Sequence, residues 1–204
     1  YLELAGTEYE GMQLAIRNSE EIKSLKVSVD APVYTGEYSG ETPPSLPAPQ
    51  IGHIENVIID TASACFHFSD LKKYERFVSP NNFAVLYPDP IIPSAKFDLP
   101  AKQTKGVYLT FYTPKDTKPG IYEGKIELKS EGKILKTLPY KIKVYDFSLS
   151  DEPLVYAIFD IRLSSGAQYK NYTHREAAKF MKSKKLSVDT LPARITFKLE
   201  NGKP

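Results

Sequence analysis

The sequence predicts a mainly β protein, an antiparallel β-sandwich followed by a short βαβ segment. Its 204 residues include 16 prolines and 14 tyrosines but only two methionines, a composition that favours strands and extended connections over helix bundles. Apolar and polar residues alternate through much of residues 106–147, whereas after residue 150 a continuous apolar run precedes an amphipathic helix. We therefore divide the chain into a β-sandwich domain, residues 1–150, and a second segment, residues 151–204.

The clearest strand pattern lies in the stretch "GVYLTFYTP", residues 106–114. Aliphatic and phenylalanine side chains alternate there with hydroxyl-bearing ones: Val107, Leu109 and Phe111 against Tyr108, Thr110 and Tyr112. The alternation predicts that the first set is buried and that the second set faces outward. Turns near residues 119–120 and 131–132 separate this strand from two more. Strands joined by tight turns predict an antiparallel sandwich of immunoglobulin-like or jelly-roll type.

The first half of this domain shows further strand patterns at residues 12–18, 24–32 and 53–60. Residues 35–52 are rich in Pro, Gly and Ser and predict a long exposed loop. A short helix is predicted over residues 69–78. The stretch "YPDPIIP", residues 87–93, holds three prolines. Because proline lacks a backbone donor, this stretch is predicted to be neither a central strand nor a helix interior.

The second segment has a different pattern. Residues 154–161, "LVYAIFDI", form a nearly continuous apolar run, which is typical of a strand buried on both faces. Residues 173–185 predict an amphipathic helix, in which Thr173 and Glu176 have the spacing of a capping box. Another strand is predicted at residues 186–192. The order strand, helix, strand describes a βαβ unit.

The composition excludes several functional classes. The net charge is only +2, from 27 basic and 25 acidic residues, so we expect no nucleic-acid partner. No apolar stretch approaches the roughly 20 residues of a membrane span. Cys65 has no partner for a disulfide and is interpreted as a buried structural thiol. The three histidines share no metal-ligand spacing with it, and we expect neither a metal nor a cofactor.

Several motifs occur in an order that resembles a known family. They are Tyr87 to Pro90, Gln103 before a strand, Pro114 to Gly124 with the pattern Pro-x-Asp-Thr-x-Pro-Gly-x-Tyr-x-Gly, and Asp146 to Leu149. Together with the opening "AGTEYEGMQLAI", they resemble the N-terminal β-sandwich of glycoside hydrolase family 123 and of the related domain-of-unknown-function 4091 proteins. The resemblance makes "YPDPIIP" a stiff surface crossing, with Ile91 and Ile92 tucked against a sheet.

In that family a (β/α)-barrel follows the sandwich and carries the catalytic site. The resemblance makes residues 151–204 a linker and the truncated start of such a barrel. It implies a hexosaminidase-like hydrolase in which the 2-acetamido group of the substrate attacks while an Asp-Glu pair assists. Asp151-Glu152 is such a pair, but it precedes the first barrel strand, so we interpret it as linker. We therefore assign no catalytic residue and expect the true pair beyond Pro204.

Four residues are candidate sugar contacts. Tyr108 and Tyr112 offer flat aromatic faces, whereas Asp160 and Arg162 end the first predicted barrel strand, where a solvent-facing ion pair is the alternative role. The expected partner is carbohydrate, including amino-sugar glycan. Self-association through residues 154–204 would cover their apolar surface. The given chain shows no signal segment, and we expect a secreted, periplasmic or cell-surface protein.

The sequence leaves three functions open. The first is a non-catalytic accessory portion of a glycan-degrading glycoside hydrolase. The second is a carbohydrate-binding module in which surface tyrosines stack on sugar rings, although the absence of Trp weakens this alternative. The third is a purely structural or adhesive sandwich.

Overall fold

The computed structural model describes residues 1–59, 85–152 and 173–187. The strands in these residues are β1 (Leu2–Gly6), β2 (Tyr9–Arg17), β3 (Ile22–Val29), β4 (Val33–Tyr34), β5 (Gln50–Ile59), β6 (Val85–Ile92), β7 (Lys96–Leu99), β8 (Thr104–Tyr112), β9 (Gly120–Ser130) and β10 (Lys133–Ser148). The helix is α1 (His174–Ser183). The chain separates into two compact units, Tyr1–Leu149 and Ser150–Pro204.

The first unit is a β-sandwich. One sheet has the strand order β1-β10-β9-β3-β7, with the short β4 also paired to β9, and the other has the order β2-β8-β5-β6. The described strand pairs are antiparallel apart from β1, which runs parallel to β10. No hairpin joins the first strand to the last, so turn geometry does not set their relative direction. The prediction of a mainly β, antiparallel fold is confirmed.

The core lies between the two sheets and is built from inward-facing residues of both. Val107, Leu109 and Phe111 of β8 are at most 1% exposed, as their alternation predicts. The rings of Phe111 and Tyr140, which belong to different sheets, lie 5.3 Å apart. Ile142, two residues beyond Tyr140 on β10, is also buried. The period-two pattern therefore identifies the inward face of both strands correctly.

The hairpin between β9 and β10 is also as predicted. Its two loop residues, Glu131 and Gly132, have positive φ angles of 50° and 77°. Lys133 pairs with Ser130 directly beside the loop. Two successive positive φ angles define a type I′ turn, whose twist matches that of the flanking strands.

Two buried tyrosines donate hydrogen bonds from their hydroxyl groups to backbone carbonyls. Tyr122 Oη donates to the carbonyl oxygen of Lys118 at 2.7 Å, and Tyr140 Oη donates to that of Asp30 at 2.5 Å. Burial raises the pKa of both phenols, because the phenolate form loses its hydration. The motif residue Tyr122 therefore anchors its turn as a neutral hydrogen-bond donor.

The proline-rich segment at residues 35–52 is less exposed than predicted. Leu46 is only 3% exposed and belongs to the core, and its N–H donates to the carbonyl oxygen of Pro32. Strand β5 already begins at Gln50. The prediction of an exposed loop is wrong at its C-terminal end, because one apolar side chain among the prolines is anchored in the core.

Most of the stretch "YPDPIIP" belongs to β6, an edge strand that pairs with β5 within the described residues. An edge strand tolerates prolines, so the prediction that this stretch is not a central strand is confirmed. Ile91 and Ile92 are more exposed than expected, at 50% and 38%, although Ile91 packs over Gly52 of β5. An edge strand lacks a neighbour on one side, and its side chains keep contact with water.

The described helix of the second unit begins where predicted. Thr173 Oγ1 accepts a hydrogen bond from the backbone N–H of Glu176, and Glu176 Oε2 accepts one from the backbone N–H of Thr173. This capping box is confirmed. The following predictions lie wholly or largely outside the described residues: the strands at 154–161 and 186–192, the helix at 69–78 and the environment of Cys65. The βαβ unit stays a prediction.

Candidate functional site

The candidate site is the outer face of the sheet β2-β8-β5-β6. On β8, Tyr108 and Tyr112 alternate with the buried residues of the core, so their side chains lie on the opposite side of the strand. Both are partly buried rather than fully exposed. The predicted outward orientation of these two candidate sugar contacts is therefore confirmed, whereas their contact with sugar stays a prediction.

Tyr112 does not stand alone on this face. The register of β2 against β8 places Tyr9 directly opposite Tyr112, and their ring centroids lie 4.5 Å apart at an interplanar angle of 32°. Tyr9 is 40% exposed. The two rings form a tilted pair that presents a broad aromatic surface to solvent, and such pairs contribute stability beyond the area they bury.

The side chain of Tyr108 reaches over the neighbouring strand at a glycine. A Cβ atom added at Gly11 would collide with the phenol end of Tyr108. Gly52 on the other neighbouring strand is covered in the same way by Ile91. Close approach of a side chain to the backbone is one reason for glycine inside a strand. The two glycines therefore allow the side chains of Tyr108 and Ile91 to approach the backbone of the neighbouring strands closely.

Amides and a hydroxyl surround the aromatic rings. Gln13 is paired with Tyr108, and Gln50 is paired with Thr110, which lies between the two tyrosines on β8. Both glutamines are exposed. Amide and hydroxyl groups donate and accept hydrogen bonds, as do sugar hydroxyls. Flat rings beside neutral polar groups are suited to an uncharged, amphipathic ligand.

A separate polar cluster lies on the inward side of the same sheet. Lys105 Nζ and His53 Nε2 lie 2.5 Å and 3.1 Å from Glu55 Oε1. His53 is 7% exposed, and its Nδ1 lies 3.1 Å from the carbonyl oxygen of Ser94, between β6 and β7. The hydrogen bond from Lys105 holds the pKa of Glu55 below its ordinary value, against the partial burial that would raise it. The cluster therefore connects β5 and β8 to the segment between β6 and β7, where the chain passes from this sheet to the other.

The remaining candidate residues do not join this face. Asp151 and Glu152 are exposed, and Glu152 Oε1 lies 3.5 Å from Lys182 Nζ within the second unit. Asp160 and Arg162 lie outside the described residues. Among the described residues, no three His, Cys, Asp or Glu side chains gather as they would around a metal ion. Nor does any helix in that part of the chain have the length and apolar character needed to cross a bilayer.

Sequence reasoning found Tyr108 and Tyr112 but missed Tyr9 and Gly11. A signal was present, because polar and apolar residues alternate in the segment that forms β2. The alternation shows which residues share a face, but it does not show which strand is the neighbour or in what register. The aromatic pair therefore depends on a pairing that the sequence pattern leaves open.

With this geometry described, comparison with known proteins identifies the family. The model of the glycoside hydrolase 123 N-terminal domain matches residues 11–130, more than half of the chain. The chain belongs to this family. The match begins within β2, after Tyr9, and runs to the end of β9, so it includes Tyr108 and Tyr112. No curated protein sequence matches this member of the family.

One solved structure shares the fold. A family 123 glycoside hydrolase from Clostridium perfringens, studied for glycolipid glycan hydrolysis, is 15% identical and superposes with a TM-score of 0.54. The match covers 74% of this chain but only 23% of that enzyme, so this chain spans less than a quarter of the enzyme's length. The N-terminal domain of PorA is 10% identical over 72% of this chain and 90% of that one, with a TM-score of 0.26, which supports no argument.

Proposed function

We propose that this chain is the N-terminal, non-catalytic accessory portion of a glycan-degrading glycoside hydrolase, and that its tyrosine face contacts carbohydrate. Family membership carries the first half of the proposal. The paired rings of Tyr9 and Tyr112, together with Tyr108 reaching over Gly11, support the second half. The resemblance stated above suggests an amino-sugar glycan as substrate of the hydrolase, and a secreted, periplasmic or cell-surface location. Self-association through residues 154–204 also stays a proposal.

The exposure of Asp151-Glu152 supports a non-catalytic role for this part of the chain. Acid catalysts of glycosidases work in enclosed surroundings that keep the carboxyl group protonated near neutral pH. Asp151 and Glu152 are instead exposed, and the carboxylate of Glu152 is close to the ammonium group of Lys182. These are the contacts of a solvent-facing segment.

An activity assay tests the non-catalytic role. Residues 1–204 should release no product from an aryl N-acetylhexosaminide above a heat-denatured control. Turnover that disappears in Glu152→Gln would overturn this role and the linker interpretation of Asp151-Glu152. Turnover that persists unchanged in Glu152→Gln would show an activity elsewhere in the chain or a contaminating enzyme, which repurification to constant specific activity separates.

Affinity electrophoresis in gels containing neutral polysaccharides tests the binding role. The wild-type chain should be retarded, and Tyr112→Ala should lose the retardation while its thermal unfolding remains cooperative. The matched control is Tyr38→Ala, which removes a tyrosine that is 46% exposed and lies outside this face. Equal mobility of Tyr112→Ala and wild type in every gel would favour the third function, a purely structural sandwich.

A further inference from the structure

A row of three lysines crosses the outer face of the other sheet. Lys26 on β3 is paired with Lys96 on β7 and with Lys129 on β9. The neighbours of Lys26 in the chain, Leu25 and Val27, are buried at 1% exposure, so Lys26 points away from the core. Adjacent strands are about 4.8 Å apart. The three lysines therefore occupy neighbouring positions on a line that crosses β9, β3 and β7.

The lysine row borders a cleft. The cleft has a volume of about 600 Å³, and its lining includes the three lysines together with Ser24, Ser94 and Ser130. The serines come from different segments: one from β3, one from the connection between β6 and β7, and one from the end of β9. Ammonium and hydroxyl groups thus line the same space, and the hydroxyls of Ser94 and Ser130 donate to backbone carbonyls of the fold.

The charges in this row are only partly compensated. Lys129 Nζ lies 2.5 Å from Glu127 Oε2, whereas neither Lys26 nor Lys96 forms an ion pair among the described residues. One carboxylate, that of Glu131, also lines the cleft. Like charges placed directly opposite each other on adjacent strands are unfavourable. An anion bound between Lys26 and Lys96 would remove this repulsion.

We propose that this cleft binds a tetrahedral oxyanion, a sulfate or phosphate ester group carried by a glycan. Each lysine supplies a compact positive charge with three donors, which can reach separate oxygens of one oxyanion. The hydroxyls of Ser94 and Ser130 already donate to the backbone carbonyls of Lys96 and Lys23, so the ammonium groups are the main donors to the anion. The presence of the ester on a glycan rests on the proposed function, whereas the affinity for an oxyanion rests on the lysine row alone.

Calorimetric titration of the full 204-residue chain tests the proposal at low ionic strength. The probes are sodium sulfate, sodium phosphate, chondroitin sulfate and chemically desulfated chondroitin, which keeps its carboxylates. The cleft variant is Lys26→Gln with Lys96→Gln. The matched control is Lys125→Gln with Lys136→Gln, which removes the same charge from two exposed lysines outside the cleft lining.

We expect chondroitin sulfate to bind the wild type more tightly than its desulfated form. The cleft variant should bind it at least about tenfold more weakly, and the control variant within about twofold of the wild type. The comparison of sodium sulfate with sodium phosphate shows which ester the cleft prefers. Amide chemical shifts of residues 24–26, 94–96 and 129–132 should move on titration of the wild type, which requires no variant to fold.

Three results would overturn the proposal. Equal weakening in both double variants would show that only net charge matters. Equal affinity for desulfated chondroitin would exclude selectivity for the tetrahedral ester. No saturable binding of any probe would exclude the site.

Binding of the inorganic ions without that of chondroitin sulfate would support the oxyanion cleft and overturn its assignment to a glycan. Sodium sulfate and sodium phosphate carry no sugar ring for the tyrosine face to contact, so their titrations test the cleft independently of that face.

Discussion

The outer faces of the two sheets carry opposite chemistry although both sheets cover the same core. The face of β2 and β8 presents uncharged aromatic rings, with Tyr9 paired to Tyr112 and Tyr108 lying over Gly11. The face of β7, β3 and β9 presents a row of ammonium groups centred on Lys26. The inward faces of both sheets are mainly apolar, apart from the cluster of His53, Glu55 and Lys105. In each strand, one set of alternate residues packs in the core and stabilises the fold, and the other set faces solvent and can contact ligands.

The effect of a substitution should therefore depend on whether the side chain faces the core or the solvent, more than on which strand carries it. Inward substitutions should change the free energy of unfolding strongly, because interiors are close-packed. Outward substitutions should change it little and should alter ligand contacts instead. The four predictions below test this division, beginning with the largest expected change in the free energy of unfolding.

The largest difference is expected between neighbours on β8. Phe111→Ala should lower the free energy of unfolding by about 3 to 5 kcal/mol, because it removes a fully buried ring from the core. Tyr112→Ala should lower it by only about 1 kcal/mol, the loss of one tilted aromatic contact. Urea denaturation measures both. Similar losses would mean that the outer tyrosine pair is part of the structural core.

The cluster on the inward side of β5 should give an intermediate effect. Glu55→Gln should lower the free energy of unfolding by about 1 kcal/mol at pH 7, a modest value because the Glu55 side chain is 40% exposed and its ion pair is screened by water. Removing the carboxylate leaves the ammonium group of Lys105, whose side chain is only 14% exposed, without its partner charge.

The same variant has a predicted pH dependence. Because the pKa of Glu55 is lowered by folding, the stabilisation is complete above the pKa of the unfolded chain and is lost as pH falls through the pKa of the folded chain. Wild type and Glu55→Gln should therefore converge in stability in acid. Glu20→Gln, at an exposed position, is the control. A constant difference between wild type and Glu55→Gln from pH 7 into acid would contradict the assigned role of the carboxylate.

Gly11→Ala should change stability by less than about 0.5 kcal/mol but should displace the Tyr108 ring. The new methyl group would overlap the phenol end of Tyr108, a part of the side chain that can rotate away without disturbing the backbone. Nuclear Overhauser contacts between the Tyr108 ring and residue 11 should disappear. A marked loss of stability would show that Tyr108 is fixed by the fold and cannot move.

The smallest effect should have the opposite sign. Lys26→Thr should raise the free energy of unfolding by about 0.3 kcal/mol at low salt, because it relieves repulsion by the lysines on both sides. The gain should shrink as added salt screens the charges. Thermal melts at several salt concentrations measure it. A salt-independent gain would point to strand propensity rather than charge, and a loss would mean that Lys26 makes stabilising contacts.

Local patterns predicted much of the fold but only part of the candidate site. The alternation in β8 was sufficient to place Phe111 inside and Tyr112 outside. Turn chemistry was sufficient to locate the hairpin at Glu131 and Gly132. The burial of Leu46 and the exposure of Ile91 were not predicted, because both depend on tertiary placement: Leu46 enters the core, whereas Ile91 lies over Gly52 on the outer face. No local pattern contains that information.

The sequence by itself determined several of the strands, the inward residues of β8, the hairpin and the capped start of α1, because each depends on residues close together in the chain. Only the tertiary structure decided which strands are neighbours. It brought Tyr9 against Tyr112, and it aligned Lys26 between Lys96 and Lys129. These partners are far apart in sequence. The register of their strands is set by burial of the apolar side chains on the opposite face, and this register also determines which residues are neighbours on the two outer surfaces.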